Sequence, residues 1–122
     1  MYKIKFYADN KGREPVKEFL KSLYDKGDIM SRKRADKINK YLAVLRLSGT
    51  FIGEPYVKYL GEELWELRPA RDRIIFAVCT GSEILLLHQF LKTTQKTPPK
   101  EIEIARKRLK DFKTQEELNH EK

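Results

Sequence analysis

Five side chains within the stretch Leu64–Lys92 combine two kinds of chemistry. Arg68, Arg73 and Lys92 carry fixed positive charge, whereas Glu66 and His88 are of the types that accept a proton near neutral pH. A guanidinium fork can hold two phosphate oxygens at once and stays charged. The stretch reads as three short strands, Leu64–Arg68, Arg73–Thr80 and Glu83–Lys92, joined by turns at Arg71-Asp72 and Thr80-Gly81-Ser82. Connections this short favour antiparallel neighbours. Alternate residues of a strand share a face, so Glu66 and Arg68 lie with Leu64, Arg73 with Ile75 and Ala77, and His88 and Lys92 with Phe90. Leu85, Leu87, Gln89 and Leu91 fall on the opposite side. One sheet face is therefore expected to be apolar and packed on helices, and the other to gather the five polar side chains. Plainer readings stand beside this one. Glu66 can simply pair with Arg68, and His88, preceded by Ile84, Leu85, Leu86 and Leu87, can be structural.

The remaining elements must supply the scaffold. Tyr2–Ala8 alternates as a strand at or near a sheet edge, with Tyr2, Ile4 and Phe6 on one side and Lys3, Lys5 and Tyr7 on the other. A helix over Glu14–Asp25 starts around Pro15 and closes at Gly27, its apolar stripe being Val16, Phe19, Leu20 and Leu23. Ser31 can cap a second helix, Arg32–Leu47, that buries Ala35, Ile38, Leu42 and Leu45 and ends at Ser48-Gly49. Arg32, Lys33, Arg34, Lys37, Lys40 and Arg46 lie elsewhere on it, as a solvated face, a phosphate track or a docking face for an acidic partner. Residues 49–63, with three glycines and a proline, read as a loop. Its Lys58 and Tyr59 can hold a phosphate and stack a base, or the tyrosine can pack on the sheet edge. Thr97 and Pro98 open a third helix, Pro98–Phe112, with Ile102, Ala105, Leu109 and Phe112 on one stripe. Residues 114–122 read as a polar, frayed tail after a single domain of residues 1–113. The order β-α-α-β-β-β-α is that of an α+β domain, a mainly antiparallel sheet of about four strands against a helical hairpin.

The 122 residues suit one core. Twenty-six basic against 18 acidic residues leave a net charge of +8, which attracts polyanions, nucleic acid foremost. The single cysteine, Cys79, lies in an apolar strand, which fits an inert thiol in a reducing cytoplasm. His88 and His120 are far apart and no cluster has metal-ligand spacing, so neither a metal nor another cofactor is expected. No apolar run approaches the length that spans a bilayer.

The runs LWELR (Leu64–Arg68), RIIFA (Arg73–Ala77), LLHQFLK (Leu86–Lys92) and KTPPKEIEIA (Lys96–Ala105) together resemble the RelE/HigB superfamily of toxins from type II toxin–antitoxin systems, and more narrowly its phage-derived HigB-like branch. The resemblance implies a metal-independent endoribonuclease acting on mRNA in the ribosome. It also implies a helix-turn-helix, HigA-like antitoxin that neutralises it in a heterotetramer. By position it makes Arg68 and Arg73 stabilisers of a phosphorane and Lys92 a second phosphate contact or an acid. Glu66, where RelE itself has lysines along the strand, and His88 are then the candidate proton acceptors. Lys58, Tyr59, Arg71 and Lys96 are candidate RNA contacts. Two alternatives remain: a non-catalytic, ParE-like inhibitor of a protein such as gyrase, and a plain RNA-binding module.

Overall fold

The computed structural model describes residues 1–120; Glu121 and Lys122, the end of the expected tail, lie outside the described residues. Strand β1 (Lys3–Phe6) leads into helices α1 (Pro15–Lys26) and α2 (Ile29–Ser48). Strands β2 (Val57–Gly61), β3 (Leu64–Leu67), β4 (Asp72–Cys79) and β5 (Glu83–Leu91) follow, and helix α3 (Pro99–His120) closes the chain. The sheet order is β1-β5-β4-β3-β2, with β1 parallel to β5 and every other pair antiparallel. This is the expected α+β class.

The sheet has five strands rather than four, because part of the expected loop 49–63 is β2. It pairs with β3 through a turn whose central residues, Glu62 and Glu63, both have positive φ, 50° and 71°. That backbone matches the right-handed twist of a two-residue hairpin and is usually built from Asn and Gly, so two glutamates give no turn signal. A short 3-10 turn, Gly49–Ile52, precedes it.

Both sheet faces are covered, which corrects the expectation of one apolar and one open polar face. On the first face Leu67, Ile74, Phe76, Ile84 and Leu86 pack against Val16 and Leu23 of α1 and Ile38 and Leu45 of α2. On the second, Leu64, Ile75, Ala77, Leu85 and Leu87 pack against Ala105 and Leu109 of α3. The alternation of β5 is broken by an irregularity: Ile75 is opposite His88 but Phe76 is opposite Leu86, so Leu87 is an extra residue. Such a bulge turns the residues beyond it over relative to the strict alternation. Leu85 and Leu87 therefore share the α3 face with His88 and Phe90, while Gln89 points to the α1–α2 side, where it meets Asp72. Arg108 of α3 donates to the Leu87 carbonyl at 2.7 Å, satisfying an acceptor in the interrupted ladder.

Helix α2 starts three residues before its expected first residue. Asp28 is its cap, accepting from the Ser31 amide at 2.8 Å and from the Ser31 hydroxyl at 2.9 Å. Helix α3 continues past Phe112 to His120. Its later turns are held by the Tyr7 hydroxyl, which donates to Asp111 at 2.5 Å, and by Gln115, which donates to Asp111 and to the Ala8 carbonyl. Burial first, then the bond to Asp111, pushes the Tyr7 phenol up to about 12, so it remains a donor. No helix among the described residues is long and apolar enough to cross a membrane.

Candidate functional site

The polar side chains of the second face collect at one end of the sheet, beyond the start of α3. Glu66 sits in the middle strand of the β2-β3-β4 set, with Lys58 and Ile75 as its cross-strand partners. Its side chain is 1 % exposed, so its two oxygens must find partners within the protein. Oε1 accepts from Arg68 Nε at 3.0 Å and lies 3.8 Å from Arg73 Nε; Oε2 accepts from the Thr97 hydroxyl at 2.6 Å. Arg73 and Lys92 line a cavity with Glu66, Phe90 and residues 93–98. Its volume is about 10 Å³, room for at most a single water. Arg68 reaches the cluster through Glu66 and is not itself part of the cavity wall. On its outer side Arg68 is 4.0 Å from Glu54.

Arg73 is held from behind as well. Its Nη1 donates to the Ala70 carbonyl at 2.7 Å and to the Asp72 carbonyl at 3.0 Å, closing the Pro69–Asp72 turn in which Ala70 has φ 59°. Burial pushes the guanidinium down from its ordinary value, opposed by the attraction of Glu66. Two guanidinium groups that share one carboxylate leave a net positive charge on the trio. The turn is anchored to α2 by an ion pair between buried Asp72 and half-buried Arg34, the latter expected on the solvated surface of the helix. Arg34 donates to Asp72 through Nε at 3.0 Å and Nη2 at 2.7 Å, and Gln89 donates to the same carboxylate at 3.0 Å. The bond to Asp72 raises the Arg34 guanidinium.

His88 shares the sheet face with Glu66 but does not line the cavity. Its Nε2 lies 2.8 Å from Glu101 Oε1, its Nδ1 3.4 Å from Arg108 Nη1, and its ring stacks on Phe90. Burial depresses its pKa, against the raising effect of Glu101, with Arg108 lowering it further. A neutral ring carrying its proton on Nε2 satisfies both neighbours: it donates to Glu101 and accepts from Arg108.

A protein-family model described as phage-derived protein Gp49-like (DUF891) matches residues 27–110, from the start of α2 into α3. The chain belongs to this Gp49-like family. The match spans the whole Glu66–Arg68–Arg73–Lys92 cluster and its anchor, Arg34–Asp72. The Gp49-like family is a RelE/HigB-like toxin family of toxin–antitoxin systems, and membership implies an antitoxin partner. No curated protein matches the chain.

Within this Gp49-like domain the other expected contacts divide between the two faces. Lys96 lines the small cavity. Arg71 borders an open groove of about 450 Å³ together with Lys92 and Thr93–Gln95, and donates to the Lys92 carbonyl at 3.2 Å. Segment 93–95 thus forms a wall of both spaces. Lys58, opposite Glu66, is exposed on the cluster's side. Tyr59 points the other way, its ring 4.9 Å from that of Trp65, and is not brought to the cluster. Thr97, Glu101 and Arg108 had no distinguishing sequence signal as site neighbours: Thr97 read as a helix cap, and the other two are charges of a kind common on any helix surface. Cys79 lies at the far end of β4, half-buried, with its thiol pushed up chiefly by burial, as suits an inert residue. Among the described residues no group of three or more metal-ligating side chains comes together.

Proposed function

We propose that this Gp49-like protein is the toxin of a type II toxin–antitoxin system, of the phage-derived HigB-like branch, and that it cuts mRNA in the translating ribosome without a metal. The observation that carries the reading is the joining of Arg73, Lys92 and, through Glu66, Arg68 at one open end of the sheet, next to Arg71 and Lys96.

The chemistry follows from RNA's own nucleophile. The 2′-oxygen attacks the adjacent phosphorus and its proton passes to a base. The bond to the 5′-oxygen breaks, and that oxygen takes a proton. The products are a 2′,3′-cyclic phosphate and a 5′-hydroxyl. Arg73 and Arg68 stabilise the charge that grows on the phosphorane oxygens, a role suited to preorganised donors. Lys92 contacts the phosphate and protonates the leaving oxygen. Glu66 Oε2 is the proton acceptor: the Thr97 hydroxyl now donates to it from the position that a ribose 2′-hydroxyl would take. RNA must therefore displace Thr97 and shift segment 93–97, since the cavity of about 10 Å³ is too small for a phosphate. His88, satisfied by Glu101 and Arg108, holds α3 on the sheet instead of moving the proton. The Glu66→Gln variant should leave mRNA uncut in a translating extract in which the wild type cleaves it. Cleavage at the wild-type rate by that variant would remove Glu66 as the base.

The small size of the cavity also favours a second reading, in which the same cationic end docks on a protein target such as gyrase and cuts nothing. Halted DNA replication with intact mRNA would select it. A plain RNA-binding module would instead bind RNA steeply salt-dependently, with neither cleavage nor growth arrest.

A further inference from the structure

A second concave surface lies on the other side of the Pro69–Asp72 turn and shares only Ala70 and Arg71 with the groove beside Lys92. One wall is the first part of α2, where Met30, Lys33, Arg34 and Lys37 follow one another at helical i, i+3, i+4, i+7 spacing. The other wall is Pro69, Ala70 and Arg71 of the turn, with Leu91 from the end of β5. The groove encloses about 470 Å³, within the range of built binding sites. Its floor is aliphatic: Met30 is 69 % exposed and Leu91 43 %, and Ile29, beside Met30, is 74 % exposed. Large aliphatic side chains left open to water at one place mark a contact surface.

The charges around it have one sign. Lys33, Lys37 and Arg71 form the rim, and the only acid in the lining, Asp72, is buried and fully engaged by Arg34 and Gln89. Nothing on the surface of the groove neutralises the rim. A nucleobase is poorly matched to it: no aromatic ring lines the floor for stacking, and the Asp72 oxygens are taken, leaving no free acceptor there to read a base edge. An apolar anchor flanked by carboxylates fits both the floor and the rim, as when an amphipathic helix lies in a groove.

We infer that this groove is the docking site for an acidic amphipathic segment of the antitoxin, which places an aliphatic side chain against Met30 and Leu91 and carboxylates against Lys33, Lys37 and Arg71. The inference rests on the toxin reading for the existence of that partner. It adds the surface and the chemistry of the segment. Arg71 is shared between this groove and the one beside Lys92, so a segment seated here would also crowd the approach to the cationic end.

The test uses the full chain and the protein encoded by the adjacent reading frame, with affinity measured by calorimetry. Met30, Lys33 and Lys37 are exposed, so Met30→Asp and the double variant Lys33→Glu/Lys37→Glu should fold as the wild type does. Each is expected to weaken binding at least tenfold, while Lys107→Ala, an exposed cation of α3 outside the groove and the cationic end, stays within about threefold. Wild-type affinity in both groove variants, with complex formation intact, overturns the groove and leaves the toxin reading standing. Failure of the wild type itself to bind the neighbouring product overturns the groove's proposed occupant together with its premise. Groove variants that lose RNA cleavage while keeping antitoxin affinity would make this an RNA surface. A concentration-dependent dimer lost in the double variant, with antitoxin affinity unchanged, would make it a self-association face. Either result ends the proposal.

Discussion

Removing Arg34 should expose how much of the site's geometry depends on one buried pair. The Asp72 side chain is 3 % exposed and accepts three hydrogen bonds, two of them from Arg34. In Arg34→Ala the carboxylate keeps only Gln89. Breaking a buried pair from one side costs about 3–5 kcal/mol. Arg34 itself is 32 % exposed, so water reaches part of the vacated space and offsets some of that loss. The expected cost is about 2–3 kcal/mol, well above the roughly 0–1 kcal/mol of a surface pair. For a chain of this size the melting temperature should fall by about 8–12 °C, at about 4 °C per kcal/mol. The double variant Arg34→Ala/Asp72→Asn removes the stranded charge and should recover about 1 kcal/mol relative to Arg34→Ala. Urea denaturation of the wild type, Arg34→Ala, Asp72→Asn and the double variant closes the cycle. A loss below 1 kcal/mol in Arg34→Ala, or further loss on adding Asp72→Asn, would show instead that the pair is solvated and holds nothing in place. The same turn supplies the carbonyls that hold Arg73, so Arg34→Ala should also lower RNA cleavage even where the protein remains folded.

Two further outcomes follow from other parts of the fold. Gly49→Ala should destabilise by about 2–4 kcal/mol in urea, because φ is +60° there and an added Cβ would lie 2.5 Å from the Tyr2 ring; an unchanged midpoint would show that Tyr2 moves freely. His88→Gln should flatten the loss of melting temperature between pH 7 and pH 5. The folded-state His88 pKa is depressed, so the unfolded chain takes up the proton first and stability falls as pH drops below about 6.5. Asp9 and Asp28, whose carboxyls are held low by backbone hydrogen bonds from Arg13 and Ser31 respectively, lose their contributions only at more acid pH, outside that window. Parallel pH profiles for wild type and variant would contradict the assignment.

What could be read from the chain followed periodicity, and what could not followed pairing. The stripes of α1, α2 and α3 survive in the structure because each helix buries one side, and the alternation of β1 and β3 survives because neither strand carries an extra residue. In β5 the run Ile84–Leu87 is apolar throughout, so it carries no record of which residue is extra, and the bulge at Leu87 shifts every side chain beyond it. Strand β2 depends on its hairpin with β3, and Glu62-Glu63 is not a recognisable turn. The stripe on α3 was legible, but the face it covers was not. Because it covers the second face, the five polar side chains are divided into a cavity with Glu66, Arg73 and Lys92 and a separate His88–Glu101–Arg108 contact. Arg34 looked like one more solvated cation of α2, since a single sequence does not show its partner 38 positions away.

The central claim is that the cationic end of the sheet cuts RNA through the substrate's own 2′-hydroxyl. It is tested most directly by mapping the ends of an mRNA exposed to the purified protein in a translating extract, beside Arg73→Ala and Lys92→Ala. The wild type should leave 2′,3′-cyclic phosphate and 5′-hydroxyl ends, and either variant should cleave at least a hundredfold more slowly, the scale of losing one transition-state donor (about 10²–10³). Intact mRNA with the wild type, or full cleavage by both variants, would contradict it.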